Sequence, residues 1–253
     1  VTATSLASLP MYDRPETAAA NDRLWQAIRA ELGYGPRHLT RDGDLWAHWT
    51  SSDLLLSQTC GYPFRARLHD KVTLVATPDF DLPDCPTGHY CSALVVRVDD
   101  PRQAPTEFAT ARFAYNDPLS QSGWAAPQNF AALQGFTFSN PKTTGGHRAS
   151  ALAVAEGHAD IASLDALTWA LIQRHDDFSC SLREIARTPP TPALPYITAP
   201  GNDADGLFDA LEAAIGALTA SDRHALGLRG LTRLPAQAYL DVPNPAPPPA
   251  ETA

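Results

Sequence analysis

Ser120, Gln121 and Ser122 stand between a turn, Asn116-Asp117-Pro118, and an apolar run, in the stretch "YNDPLSQSGWAAPQ" from Tyr115 to Gln128. Asn116, Asp117 and Ser120 are residue types that cap helices, and Pro118 suits a turn or a first helical position. A helix start leaves its first N–H groups without acceptors and carries the positive end of the dipole. Small side chains there let an anion approach, and the two hydroxyls and the Gln121 amide add donors. By itself the stretch reads first as a helix cap, with an anion cradle as the second reading.

Other polar residues occupy comparable places. His147 follows "TTGG" and opens another helix, where it would donate to an anion, more strongly once protonated. Asp165 follows the strand-like "ADIASLD" and precedes "ALTW", the place of a helix cap. Asp160 reads as structural at a helix–strand turn, and His158 and His175 as surface residues. The spacing of His147 and His158 does not suit chelation on one helical face, so no metal and no cofactor are expected. Trp124 is expected in the interior or along a cleft. Cys60 and His147 would be the types for a nucleophile pair, but Cys60 reads as the end of a helix, without an activating helix start.

The elements that must place these groups follow from periodicity. A strand spans residues 4–12, and "PETAAANDRLWQAIRAELG" is a helix closed by Gly33. "LWAHW" reads as a short strand, and "SDLLLSQTCG" as a short helix capped by Ser51 and Ser52. "KVTLVATPDF" and "HYCSALVVRV" are strands, and "DDPRQAP" breaks the pattern as a lobe crossing. The alternation then repeats: "ARFAYN" strand, residues 120–133 helix, "FTFSN" strand, a helix from Gly146, "ADIASLD" strand, and "ALTWALIQRH" helix. "SLREIARTPPTPALPYITAP" is a strand feeding a proline-stiffened return, and "DADGLFDALEAAIGAL" and "SDRHALGL" are helical. The closing "VPNPAPPPAETA" reads as a disordered tail.

Two runs of alternating strands and helices indicate an α/β chain of two lobes, each a mainly parallel sheet flanked by helices. The expected division is 1–100 for the first lobe, 101–187 for the second, 188–242 for the return and C-terminal helices, and 243–253 for the tail. Ligands of such sheets sit beyond the carboxyl ends of strands. Tyr12 and Asp13, Thr77 and Pro78, Asn116 to Ser122, Thr143 to His147, and Asp165 all fall there.

The chain has 253 residues and a net charge of −9, with 44% hydrophobic residues. No basic patch is visible, which argues against nucleic acid as a partner. No stretch approaches a membrane span. "VTATSLASLPMYD" has no basic n-region or long apolar h-region, so no signal peptide is read there. Cys60, Cys85, Cys91 and Cys180 allow three full pairings that spacing does not separate. In an oxidising compartment a disulfide joining Cys85 to Cys60 or Cys91 is expected, because these three are read into the first lobe.

"NDPLSQSGW" and "TTGGHRASALAVAEGHADIASLD", with "LLLSQTCGYP" and "YCSALVVRVDDP" before them, resemble the phosphonate/phosphite/phosphate-type substrate-binding proteins of ABC transporters. The resemblance runs from about Ser5 to Pro200. It implies a type II periplasmic-binding-protein fold, in which two lobes close on a small oxyanion. It carries anion contact onto Ser120, Gln121 and Ser122, where Gln121 replaces the usual threonine, and onto His147. Asp165 would face the other end of the ligand, and Tyr12, Tyr62 and Tyr90 would wall the cleft.

The function so implied is capture of a phosphonate- or phosphite-like anion for ABC-type uptake, by a monomeric periplasmic protein with a transporter permease as partner. No catalysis is expected: no G-x-S-x-G elbow, H-E-x-x-H or P-loop is present. The alternatives are a cytosolic ligand sensor, or a small-molecule enzyme on the same fold, as in the futalosine pathway to menaquinone. Hinge motion is expected at "DDPRQAP" and "TPPTPALP".

Overall fold

The computed structural model describes residues 6–249. The chain forms two compact units, Val1–His89 with Pro192–Asp241, and Tyr90–Thr191 with Val242–Ala253. The first crossing therefore lies at His89/Tyr90 and not near residue 100. The reason is strand Ser92–Arg97, which pairs along its length with Ile161–Asp165 and Leu182–Arg187 of the second unit. "DDPRQAP" is a turn of that unit and not a crossing. Arg102 clasps Asp100 at 2.6 Å, and Arg183 donates to the carbonyls of Asp100 and Arg102. "TPPTPALP" does contain a crossing, at Thr191/Pro192.

The first unit is a five-stranded sheet in the order Leu6–Ser8, Leu54–Gln58, Tyr196–Thr198, Thr73–Phe80, Leu228–Thr232. The three leucines of "LLLSQ" are a strand, not the expected helix. All five residues are buried, so no alternation betrays the strand, and a short apolar run reads equally as buried helix. "LWAHW" is conversely a helix, Leu45–Trp49, because Asp44 caps it by accepting the Ala47 N–H at 3.1 Å. Helix Ala18–Leu32 buries Leu24, Trp25 and Ile28, and helix Ala204–Ala217 buries Leu207, Leu211 and Ile215. Gly33 ends the first of these with φ of 74°, a conformation that glycine adopts without strain. Trp49, Leu54, Phe64, Leu68, Ile197 and Tyr239 form a compact cluster on the sheet.

The second unit is also five-stranded, in the order Asn140–Thr143, Arg112–Tyr115, Ile161–Asp165, Ser92–Arg97, Leu182–Arg187. Asn140–Thr143 replaces the expected "FTFSN" strand. It lies at the sheet edge, where Pro141 removes no essential ladder bond. Ala93, Val95, Ala114, Leu164, Trp169 and Ile172 are among the residues of the core.

Both sheets are mixed where mainly parallel ones were expected. Arg112–Tyr115 runs parallel to both its neighbours, but the entering strand Ser92–Arg97 pairs antiparallel with both Ile161–Asp165 and the leaving strand Leu182–Arg187. In the first unit the strands formed after the return, Tyr196–Thr198 and Leu228–Thr232, pair antiparallel as well. A chain that leaves a unit and comes back enters with its direction set by the crossing, not by a local strand–helix–strand connection. Leu228, the first residue of strand Leu228–Thr232, was read into the helix "SDRHALGL", which Gly227 in fact closes with φ of 59°.

The proline-rich tail is described through Pro249, and the expectation for residues 250–253 lies outside the described residues. The Trp124 indole N–H donates to the Ala246 carbonyl at 3.0 Å, and the Asn129 amide to that of Pro243 at 2.9 Å. Composition suggested disorder because prolines bring no N–H donors, but their carbonyls need only donors from elsewhere. Cys91 belongs to the second unit, so Cys60, Cys85 and Cys91 do not share one lobe. Among the described residues no helix is long and apolar enough to cross a membrane.

Candidate functional site

The Ser120 hydroxyl caps its helix, accepting the Gly123 N–H at 2.9 Å, while its carbonyl takes the Trp124 and Ala125 N–H groups. The first turn, Gln121–Ala125, is wound wide as a π-helix and continues into the α-helix Ala126–Leu133. Ser120, Gln121 and Ser122 are all buried. The Gln121 amide reaches toward the Thr191 hydroxyl at 3.4 Å. Gly123 is required by close approach: a Cβ there would lie 1.9 Å from Asn116 Oδ1 and 3.2 Å from the Asn116 backbone nitrogen. Gly123→Ala is therefore expected to lower stability by about 1–3 kcal/mol, the usual cost of overpacking. A urea titration unchanged from wild type would contradict this.

His147 opens helix His147–Ala155, and its Nε2 lies 2.9 Å from Ser122 Oγ. The residue as a whole is half-buried, but Nδ1 is enclosed and has no hydrogen-bond partner. Burial pushes the imidazole down to about 4, opposed only in part by the Ser163 carbonyl. The ring is thus neutral at ordinary pH, one of the two states that the sequence left open. The Ser163 hydroxyl donates to the Ser122 carbonyl at 2.6 Å and so ties the turn to strand Ile161–Asp165.

Asp165 ends that strand, 2% exposed, and its Oδ1 accepts the Leu167 and Thr168 N–H groups at 2.9 and 3.0 Å. It caps helix Ala166–His175. Asp160 is structural as expected, receiving Arg112 through two nitrogens. Arg148, the residue after His147, is held by Asp176 at 2.7 Å.

Of the eight residues anticipated, Ser120, Gln121, Ser122, His147, Asp165 and Tyr90 belong to the second unit, and Ser122 and His147 are in direct contact. Tyr90 is fully buried where the chain enters that unit. Tyr12 and Tyr62 belong to the first unit. Tyr12 meets Phe80 edge-on at 5.2 Å and lines, with Asn21, Gln58 and Tyr196, a cavity of about 20 Å³, room for one water. Tyr62 lies under the Arg65 guanidinium at 4.5 Å. Cys60 and His147 fall in different units, and Cys60 precedes a helix start at Gly61 instead of following a helix.

Sequence reading missed Ser163, whose hydroxyl holds the Ser122 turn. Ser163 was concealed in an apolar strand, where a lone serine is the available signal. Asn116, read as a cap and among the polar groups at strand ends, buries its Oδ1 without a hydrogen-bond partner beside Gly123. In the first unit, Ser57 Oγ and Thr59 Oγ1 are also buried and unpartnered, within a run that had been read as a helix.

A family model for the periplasmic substrate-binding proteins of phosphonate ABC transporters matches residues 6–238. No curated protein matches the sequence. Among solved structures, the fold is similar to that of PhnD1 from Prochlorococcus marinus in complex with methylphosphonate, at 16% identity and a TM-score of 0.74, covering 93% of this chain and 94% of that one. It is similar also to a binding-protein component of an ABC phosphonate transporter from Pseudomonas aeruginosa, at 16% identity and a TM-score of 0.69, covering 90% and 80%. A histidine kinase sensor domain resembling periplasmic binding proteins matches at 15% identity and a TM-score of 0.62, covering 90% and 98%. The architecture is the two-lobe α/β type II fold.

Proposed function

Because the chain belongs to the ABC-transporter phosphonate substrate-binding protein family, we propose that it captures a small phosphonate-like anion on Ser120–Ser122 and His147 and delivers it to a transporter permease. The family is one of transport proteins, not enzymes. The observation that carries the ligand assignment is the meeting of two helix starts through Ser122 and His147, 2.9 Å apart. Two sets of first-turn N–H groups, two dipole ends and a hydroxyl–imidazole pair there suit an oxyanion. Asp165 and Tyr90 would shape the rest of the ligand site from the same unit. The protein would act in the periplasm as a monomer, with no metal. Its net charge of −9 disfavours nucleic acid.

Ser122→Ala removes a hydroxyl donor, and a hydrogen bond to a charged group contributes about 1.5–3 kcal/mol. Affinity for methylphosphonate should fall by about tenfold to a hundredfold in calorimetry, and His147→Ala should weaken it likewise. Wild-type affinity in both variants would put the anion elsewhere.

A further inference from the structure

Five of the eight residues in Val242–Pro249 are proline, so this segment offers many carbonyls and few N–H donors. Its ring-restricted backbone is extended in advance and loses little freedom on docking. What it needs from its neighbours is donors, and the helix that begins at the candidate site supplies two. The Trp124 indole N–H donates to the Ala246 carbonyl at 3.0 Å, and the Asn129 amide to the Pro243 carbonyl at 2.9 Å. The segment re-enters the second unit after Asp241, once the chain has completed helix Ala236–Leu240 of the first.

Trp124 is where this contact meets the candidate site. It lies in the wide turn Gln121–Ala125, two residues beyond Ser122, and is buried. In that turn the Ser120 carbonyl takes both the Trp124 and Ala125 N–H groups, and the Gln121 carbonyl takes the Ala126 N–H. A winding of this kind is rare and is found mostly at functional sites. The Ser120 hydroxyl ties it from within and the Ser163 hydroxyl from the neighbouring strand, while Ala246 ties Trp124 from far along the chain. The last of these ties is the detachable one. Beside it lies a cavity of about 400 Å³ walled by Ala126, Phe130, Leu133, Pro189, Val242 and Pro243, so close packing does not seal the segment onto its helix.

We propose that Val242–Pro249 is a strap that holds the anion turn through Trp124, which makes Trp124 and Asn129 positioning residues for the ligand. The proposal rests on the anion reading above. With the strap docked, the wide turn keeps its first N–H groups in one arrangement. With it released, the indole N–H loses its acceptor, the turn loses its outermost tie, and the anion is bound more weakly. Coupling of this kind is reciprocal, so a bound anion holds the strap down by the same factor.

The test uses the full chain and methylphosphonate. Exchange of the Trp124 indole hydrogen with solvent deuterium, followed by NMR, should slow about tenfold when the protein is saturated, the equilibrium equivalent of one hydrogen bond. A strap that merely stabilised the fold would leave that rate indifferent to the ligand. Trp124→Phe combined with Asn129→Ala removes both donors and keeps a ring in the interior. Calorimetry should place its methylphosphonate affinity about tenfold below that of the wild type. An indole exchange rate unmoved by the ligand, or wild-type affinity in the double variant, would overturn the strap while leaving the anion site in place. If the double variant does not fold, Pro245→Gly with Pro247→Gly replaces it, since both changes leave the turn and its helix untouched. The added freedom of that chain should quicken indole exchange in the free protein about tenfold and lower the affinity, and no change in either would also overturn the strap. A wild-type protein that binds no methylphosphonate would overturn the anion reading itself, and this proposal with it.

Discussion

Phe113→Ala is expected to lower the unfolding free energy by about 3–5 kcal/mol, the range for removing a buried aromatic ring. Phe113 has no exposed surface and stands at the centre of a ring cluster in the second unit. It stacks on Phe138 at 4.4 Å and on Tyr115 at 6.4 Å, and it meets Trp124 at 6.5 Å. Trp124 in turn lies 4.9 Å from Tyr115 and two residues beyond Ser122, so the cavity would open directly beneath the candidate site. The expected loss is large because three ring neighbours lose their packing partner and the strand beneath them is fixed by pairing on both sides. Urea unfolding monitored by tryptophan fluorescence reads it. A change below about 1 kcal/mol would mean that the cluster closes around the gap, contrary to the cavity cost usual in close-packed interiors.

The second large effect is an acid dependence of stability. His147 titrates at about 4 in the folded protein, against about 6.5 for an unperturbed histidine. For a base whose folded value is depressed, the unfolded state binds the proton first as pH falls. The stabilisation from keeping the ring neutral is fully present above about pH 6.5 and is lost as the pH falls from about 6.5 to about 4. A difference of about 2.5 units corresponds to about 3 kcal/mol. Other groups also contribute to the acid limb, so the informative quantity is the difference between wild type and His147→Ala. The variant should lack this histidine's share of the slope in that window. Superimposable slopes, or an imidazole resonance titrating near 6.5 in the folded protein, would show that the ring is not held neutral.

Much of the candidate site was legible without coordinates because its chemistry is local. A serine that caps its own helix, a histidine straight after two glycines and an aspartate between strand and helix each announce a helix start within a few residues. Ser120, His147 and Asp165 stand at helix starts as read. Local sequence failed where position depended on distant chain. "LLLSQ" is a strand because it lies between Leu6–Ser8 and Tyr196–Thr198, the latter arriving from far along the chain. Composition likewise read the tail as disordered, although Trp124 and Asn129 hold it in place.

By itself, then, the sequence determined the alternation of strands and helices, the two-lobe α/β class and the family, since periodicity and short motifs are properties of neighbouring residues. Tertiary structure alone decided the polarity of the strands and the crossing at His89/Tyr90, because both depend on which strand pairs with which across a long excursion. It alone decided that Ser163 anchors the Ser122 turn and that a Cβ at Gly123 would collide with Asn116. It also decided the charge of His147. The residue type permits either protonation state near neutral pH, and enclosure away from water, which only the packed chain supplies, selects the neutral one.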